Sequence, residues 1–173
     1  SADLGKASIA ASGFAFSAWA VATQRGWVER ERAVGQVRKS LRFLAEKAPR
    51  RQGFFYHFLK ADAGTRAWNC ELSTIDTALL LAGMLHAAQY FAGDGADERE
   101  VRSRVQSIYA RVDWRWAQDG DDALAMGWTP EAGFQPCRWL GYNEAMILYV
   151  LALAAPEFPV TPAAYDAWTS TFD

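Results

Sequence analysis

The sequence predicts an all-α fold of alternating inner and outer helical hairpins. Three observations carry that expectation. Segments that are apolar on every side alternate with segments that carry a single apolar stripe. No run of alternating apolar and polar residues is long enough for a central sheet. Of the 173 residues, 51% are hydrophobic and 14% aromatic, with eight tryptophans, which is enough to bury a substantial core and excludes intrinsic disorder. A helix that is apolar all round must be enclosed, whereas a striped helix covers it and turns its other face to water.

The elements follow in that order. Residues 9–23 form the first inner helix, with Phe14, Phe16, Trp19 and Val21 set among alanines. Residues 29–48 form a striped outer helix on Val34, Val37, Leu41, Leu44 and Ala48. Residues 73–91 return to the inner kind (Ile75, Leu79, Leu80, Leu81, Met84, Leu85), with Ser73 placed as N-cap. The stripe over 97–116 (Val101, Val105, Ile108, Val112, Trp116) is outer, residues 143–155 are inner, and 162–172 start another outer helix capped by Thr161. Three inner helices need more cover than three striped partners can provide. Three hairpins are also half of what closes such a ring. The expectation is therefore one domain over residues 1–173, about half of an (α/α)6 toroid and cut off on its C-terminal side.

Connection lengths point to function. Inner-to-outer links are short (24–28, 92–96, 156–160), while the outer-to-inner links 49–72 and 118–142 are long. Loops of that length inside a compact domain are usually functional. Both fall at one end of the layer, above the positive ends of the inner helices. They carry Phe54, Phe55, Tyr56, Phe58, Trp68, Trp128, Phe134, Trp139 and Tyr142. An aromatic binding surface is expected there.

Composition narrows the partners. Eighteen basic against 20 acidic residues leave a net charge of −2, which argues against nucleic acid or a polybasic membrane surface. The longest apolar run, Ala145 to Ala155, is shorter than the roughly 20 residues of a membrane span. No leader pattern precedes Ser1. Two cysteines and two histidines show no metal-ligand spacing, so no metal and no cofactor are expected. Neither a Gly-x-Ser-x-Gly elbow nor a phosphate-cradling glycine loop occurs.

Two constellations remain. In Trp68-Asn-Cys-Glu71-Leu-Ser73-Thr-Ile-Asp76, Asp76 stands where a capping-box carboxylate would. Either it only satisfies the helix terminus, or it joins Glu71 on the mouth face beside Trp68. In Arg138-Trp139-Leu-Gly-Tyr142-Asn143-Glu144, Asn143 caps the next inner helix and Glu144 falls in its first turn, where the helix dipole alone favours a carboxylate. Both recur at the start of successive inner helices. Carboxylates beside indoles suit carbohydrate, whose C–H faces stack on rings while its hydroxyls need paired acceptors and donors. Glycosidic cleavage takes a carboxylic acid for the leaving oxygen and a carboxylate for water or the anomeric carbon. His57, in the aromatic loop, either binds a sugar hydroxyl or makes a structural hydrogen bond; His86, mid-helix, reads as a satisfied core histidine. Cys70 and Cys137 either pair in an oxidising compartment or stay as thiols.

The runs GFFYHFL (53–59), RAWNCELSTIDTALLLAG (66–83), VDWRW (112–116), MGWTPEAGF (126–134) and RWLGYNEAMILYVLAL (138–153) resemble the bacterial glucoamylase-like domain family. That family includes endo-β-1,2-glucanases and a region of cyclic β-1,2-glucan synthases, and the likeness covers about residues 5 to 170. It implies an (α/α)6 toroid, a periplasmic or secreted setting, and glycan hydrolysis with inversion. By position, Glu71, Asp76 and Glu144 match its acidic pocket residues. Trp68, Trp128, Trp139 and Tyr142 match its aromatic walls, and Arg66 and Asn143 its polar contacts; Tyr56, His57 and Arg138 complete the substrate-binding set. Cys70 stands where a small polar residue is expected, which favours a disulfide. The resemblance also implies that the C-terminal half of the domain is absent. The expected function is hydrolysis of a β-glucan, plausibly β-1,2-linked, with Glu144 as general acid. Asp76 and Glu71 then hold sugar or water, and the base is one of them or is missing. The alternatives are a non-catalytic glycan-binding module, or a structural fragment that associates through exposed inner helices with itself or a missing half.

Overall fold

The computed structural model describes residues 5–170. Its helices are α1 (Ile9–Gln24), α2 (Arg30–Glu46), α3 (Thr74–Tyr90), α4 (Ala96–Ala110), α5 (Met146–Leu153) and α6 (Pro162–Thr169). Short strands lie between them: β1 (Lys6–Ser8), β2 (Arg50–Arg51), β3 (Phe54–Phe55), β4 (Phe58–Lys60), β5 (Leu72–Ser73), β6 (Gly127–Thr129) and β7 (Gly133–Phe134). The chain is thus rich in helix but not purely helical. No described helix is long and apolar enough to cross a membrane.

Local chemistry accounts for the helix starts. Ser8 opens α1 by accepting the Ala11 N–H at 3.2 Å, and Ser73 opens α3 by accepting the Asp76 N–H at 3.1 Å. Thr161 stands at the N-cap of α6 but makes no capping bond, and Pro162 starts the helix instead. The expected cap by Asn143 is corrected: its Oδ1 accepts the Ala145 N–H at 3.0 Å in a turn, and α5 begins only at Met146, with Ala145 at its N-cap and no side-chain capping bond. Glu144 therefore precedes that helix instead of lying in its first turn. Outer helix α4 ends at Ala110, short of Trp116. The Asp113 carboxylate accepts the Trp116 N–H at 2.9 Å and closes a separate turn.

Helix α3 packs against both α1 and α5, and α2 packs against α4. The α1–α3 crossing is the tightest: a Cβ on Gly83 would meet the Gly13 carbonyl, and one on Gly13 would meet the Leu79 backbone. Both positions need a residue without a side chain. The stripe of α2 is buried as predicted, with Val37 and Leu41 fully covered. Charged ties reinforce the outer layer. Arg30 donates to both oxygens of Glu98 (2.6 and 2.9 Å) and to the Tyr90 carbonyl, joining the start of α2 to the end of α3 and the start of α4. Glu100 accepts from Arg38 and, at 2.7 Å, from Arg104.

The inner helices are not fully enclosed. Phe14 is 65% exposed on α1, Val21 is exposed beside it, and Met146 and Val150 are exposed on α5. His86 corrects the expectation of a core residue: it is exposed, with Nδ1 2.9 Å from the Ser17 hydroxyl. Among the described residues these faces have no helix over them.

The small sheets belong to the long connections. Strand β1 pairs antiparallel with β4 (Ala7 opposite Leu59), β2 with β3, and β5, β6 and β7 form one three-stranded sheet. Each strand is two or three residues long, too short to leave an alternating pattern in the sequence. Their effect is to pin both long loops to one end of the helices. Phe54 and Phe55 are fully buried beneath, the Phe54 ring meeting Trp114 edge-on at 5.3 Å.

Candidate active site

The long loops and two inner helices enclose a hollow of about 440 Å³. His57, Glu71, Asp76, Trp139 and Glu144 line it, over an apolar floor of Ile75, Leu79 and Met126. Both predicted constellations therefore converge on one concavity. A larger groove of about 480 Å³ runs between α1 and α2, with Phe16, Trp19, Phe43 and Leu59 in its wall and no carboxylate. Its charged lining residues are Lys39 and Lys60, so it offers no carboxyl pair for glycosidic cleavage.

Backbone bonds hold His57 in the wall. His57 donates its N–H to the Glu71 carbonyl at 2.9 Å and accepts from the Ile9 N–H at 3.0 Å, so the β3–β4 loop is stitched to both β5 and α1. Its ring stacks on Phe58, centroids 4.0 Å apart. Glu71 Oε1 lies 2.9 Å from His57 Nδ1, and Asp76 Oδ1 lies 3.4 Å from His57 Nε2. Asp76 is buried in the first turn of α3 and accepts a short hydrogen bond from the Ser73 hydroxyl. Ser73 supplies the cap, while the Asp76 carboxylate accepts from that hydroxyl and lines the hollow.

Trp139 is 9% exposed and donates from Nε1 to the Thr74 hydroxyl at 3.0 Å, which sets the indole against the start of α3. Glu144 is exposed, and no described residue bonds to or pairs with its carboxylate. Two polar wall residues escaped the sequence reading, Gln135 and Ser73 as a lining group. Gln135 arrives through the β6–β7 hairpin, where its N–H donates to the Gly127 carbonyl at 2.9 Å. Only the two-residue ladder brings it there, and that ladder has no sequence signal.

The other predicted contacts lie outside this lining. Arg66 pairs with Glu131 at 2.6 Å and sits over the Tyr56 ring. That guanidinium holds the Glu131 carboxyl below its ordinary value. Trp68 is 61% exposed, edge-on to Phe58, with Trp68 and Asn69 both in the left-handed backbone region (φ 52° and 51°). Trp128 lies under Arg51. Arg138 faces Asp119 and Asp121, at 3.4 and 3.9 Å. Tyr142 is exposed and stacks on Trp168, and Asn143 accepts from the Trp168 indole N–H. The disulfide is not formed: Cys70 and Cys137 are both free thiols. The Cys70 sulfur instead accepts the Phe58 N–H and donates to the Phe58 carbonyl, and burial pushes its pKa up.

Known proteins match this frame closely. The family described as "Putative glucoamylase" matches residues 136–173. An exo β-1,2-glucooligosaccharide sophorohydrolase (non-reducing end) of Parabacteroides distasonis is 31% identical over 169 residues, covering 92% of this chain and 23% of that protein. The endo-β-1,2-glucanase of Chitinophaga pinensis, solved with sophorotriose and glucose, superposes with a TM-score of 0.92 at 27% identity, covering 98% of this chain and 42% of that one. The β-1,2-glucanase of Parabacteroides distasonis superposes at 0.89 with 26% identity, covering 98% of this chain and 25% of that one. The chain thus spans less than half the length of these relatives. Sequence and backbone agree over nearly all of its residues, so the chain is similar to proteins of the glucoamylase-like family.

Proposed function

We propose that the hollow binds a β-1,2-linked glucan and that the protein this chain represents cleaves it as a glycoside hydrolase, with inversion. The observation that carries this is the convergence of Glu71, Asp76 and Glu144 beside Trp139 in one concavity, in a chain whose relatives act on β-1,2-linked glucose. Glu144 is the general acid. Among the described residues nothing pairs with its carboxylate, which leaves it open to a leaving oxygen. Asp76 and Glu71 hold a sugar hydroxyl or orient water, and Trp139 supplies a ring face. Trp68, exposed and held in an unfavourable backbone conformation, extends the aromatic surface along the rim.

Incubating the chain with a panel of α- and β-glucans and measuring new reducing ends tests this reading. Release from β-1,2-glucan alone is expected, and Glu144→Gln lowers it by about 10²–10⁴-fold while oligosaccharide binding persists. Wild-type turnover in that variant contradicts the assignment of the acid.

A second reading, glycan binding without cleavage, has one observation in its favour. Asp76 and Glu71 are both engaged by His57, and Asp76 also by Ser73, so neither is a free base. It predicts saturable binding with no reducing ends. Under both readings the domain is part of an (α/α)6 toroid in an exported setting. The bare faces of α1 and α5 are then covered by the rest of that ring or by a second copy.

A further inference from the structure

The wall of the hollow holds an imidazole between two carboxylates, an arrangement the proposed reaction does not by itself require. The three groups come from three places: His57 from the β3–β4 turn, Glu71 from just before β5, Asp76 from the first turn of α3. Backbone bonds on both sides of His57 and the stacked Phe58 ring leave the imidazole little freedom to turn. Both ring nitrogens face carboxylate oxygens, at 2.9 Å on the Glu71 side and 3.4 Å on the Asp76 side.

Proton counting then constrains the cluster. A neutral imidazole has one N–H and one lone pair. With the proton on Nδ1, donated to Glu71, the Nε2 lone pair points at Asp76, and two acceptors oppose each other. A second proton on Nε2 turns that repulsion into an ion pair, and each carboxylate then faces a donor. The remaining Asp76 oxygen already accepts from Ser73. Among the described residues the other charged group of the hollow is Glu144, from the segment before α5, and no lysine or arginine lines it. The Cys70 thiol lies behind, on the Phe58 backbone. Among the described residues, His57 is the one basic group that the wall sets beside three carboxylates.

We propose that His57 is a positioning residue that, as an imidazolium, ties Glu71 and Asp76 into one unit and so sets how firmly the hollow grips a β-1,2-linked glucose chain. The grip rests on the functional reading above; the clamp itself does not. Two measurements separate them. The first follows the imidazole N–H protons of the sugar-free chain by NMR at about pH 5, where an ordinary imidazole is protonated. Both His57 ring protons exchange more slowly than those of exposed His86. Glu71→Met removes the protection at Nδ1, and Asp76→Ala removes it at Nε2. Exchange as fast as that of His86, or protection unmoved by Glu71→Met, overturns the clamp, and this arm decides even if Asp76→Ala fails to fold. The second measures sophorotriose affinity by calorimetry between about pH 5 and pH 8. Wild type weakens about tenfold across that range, whereas His57→Gln, which keeps a donor but no charge, changes less than about twofold. Equal pH slopes in the two proteins overturn the positioning role. No binding by wild type at either pH overturns the functional reading instead, and the ring protons then decide the clamp alone.

Discussion

Asp76 is fixed within the first turn of α3 while its carboxylate lines the hollow. Its N–H bonds the Ser73 hydroxyl, one carboxylate oxygen accepts that hydroxyl's proton, and the other faces His57 across the hollow. Ser73→Ala removes the cap and one of the groups that fixes Asp76. A stability loss of about 1 kcal/mol in urea unfolding is expected, with weaker oligosaccharide binding; unchanged values in both would show that Asp76 needs no such support. Much of this scale was legible in the sequence, because Glu71, Asp76, Trp139 and Glu144 sit beside helix starts, and helix starts are what capping residues mark. Arg66, Arg138 and Asn143 bond to neighbouring side chains and Trp128 lies under Arg51, and residue type alone does not choose between a sugar and a neighbouring Glu131 or Trp168. Gln135 was illegible for the opposite reason, since nothing local marks the residue that a hairpin delivers.

Hydrophobic periodicity located every helix, since stripe and all-round patterns are direct consequences of facing one or several neighbours. It failed where a side chain closed the backbone early, as Asp113 does after α4, and where strands are two residues long. It also did not foresee the backbone contact between α1 and α3. Gly83→Ala forces a methyl group onto the Gly13 carbonyl, and because that neighbour is backbone it cannot swing aside. A loss of about 3 kcal/mol is expected in denaturant unfolding; a neutral effect would mean that the helices separate easily. Between α2 and α4 the decisive feature is charge. Hydrogen bonds from Arg104 and Arg38 lower the Glu100 pKa from 4.5 to about 2. A carboxylate depressed in the folded state stabilises above its ordinary value and loses that contribution as pH falls through the folded one. Stability should therefore drop between pH 4.5 and about 2, by about 1 kcal/mol from this partly exposed network. Glu100→Gln should flatten that limb in acid-unfolding measurements, and an unaltered limb would remove Glu100 from the account.

At the scale of the whole molecule, the alternation of inner and outer helices puts both long loops at one end, and small sheets hold them there. That arrangement turns two distant stretches of sequence into a single wall with three carboxylates, an imidazole and an indole. The exposed apolar faces of α1 and α5 belong to the same design, being the flanks of an inner layer whose central member, α3, is covered on both sides. The measurement that tests the account most directly maps a β-1,2-linked glucooligosaccharide onto the isotope-labelled chain by NMR titration. Saturable shifts confined to Glu71, Asp76, Gln135, Trp139, Glu144 and their neighbours are the predicted result. Shifts centred on the groove between α1 and α2, or none at millimolar sugar, would contradict it.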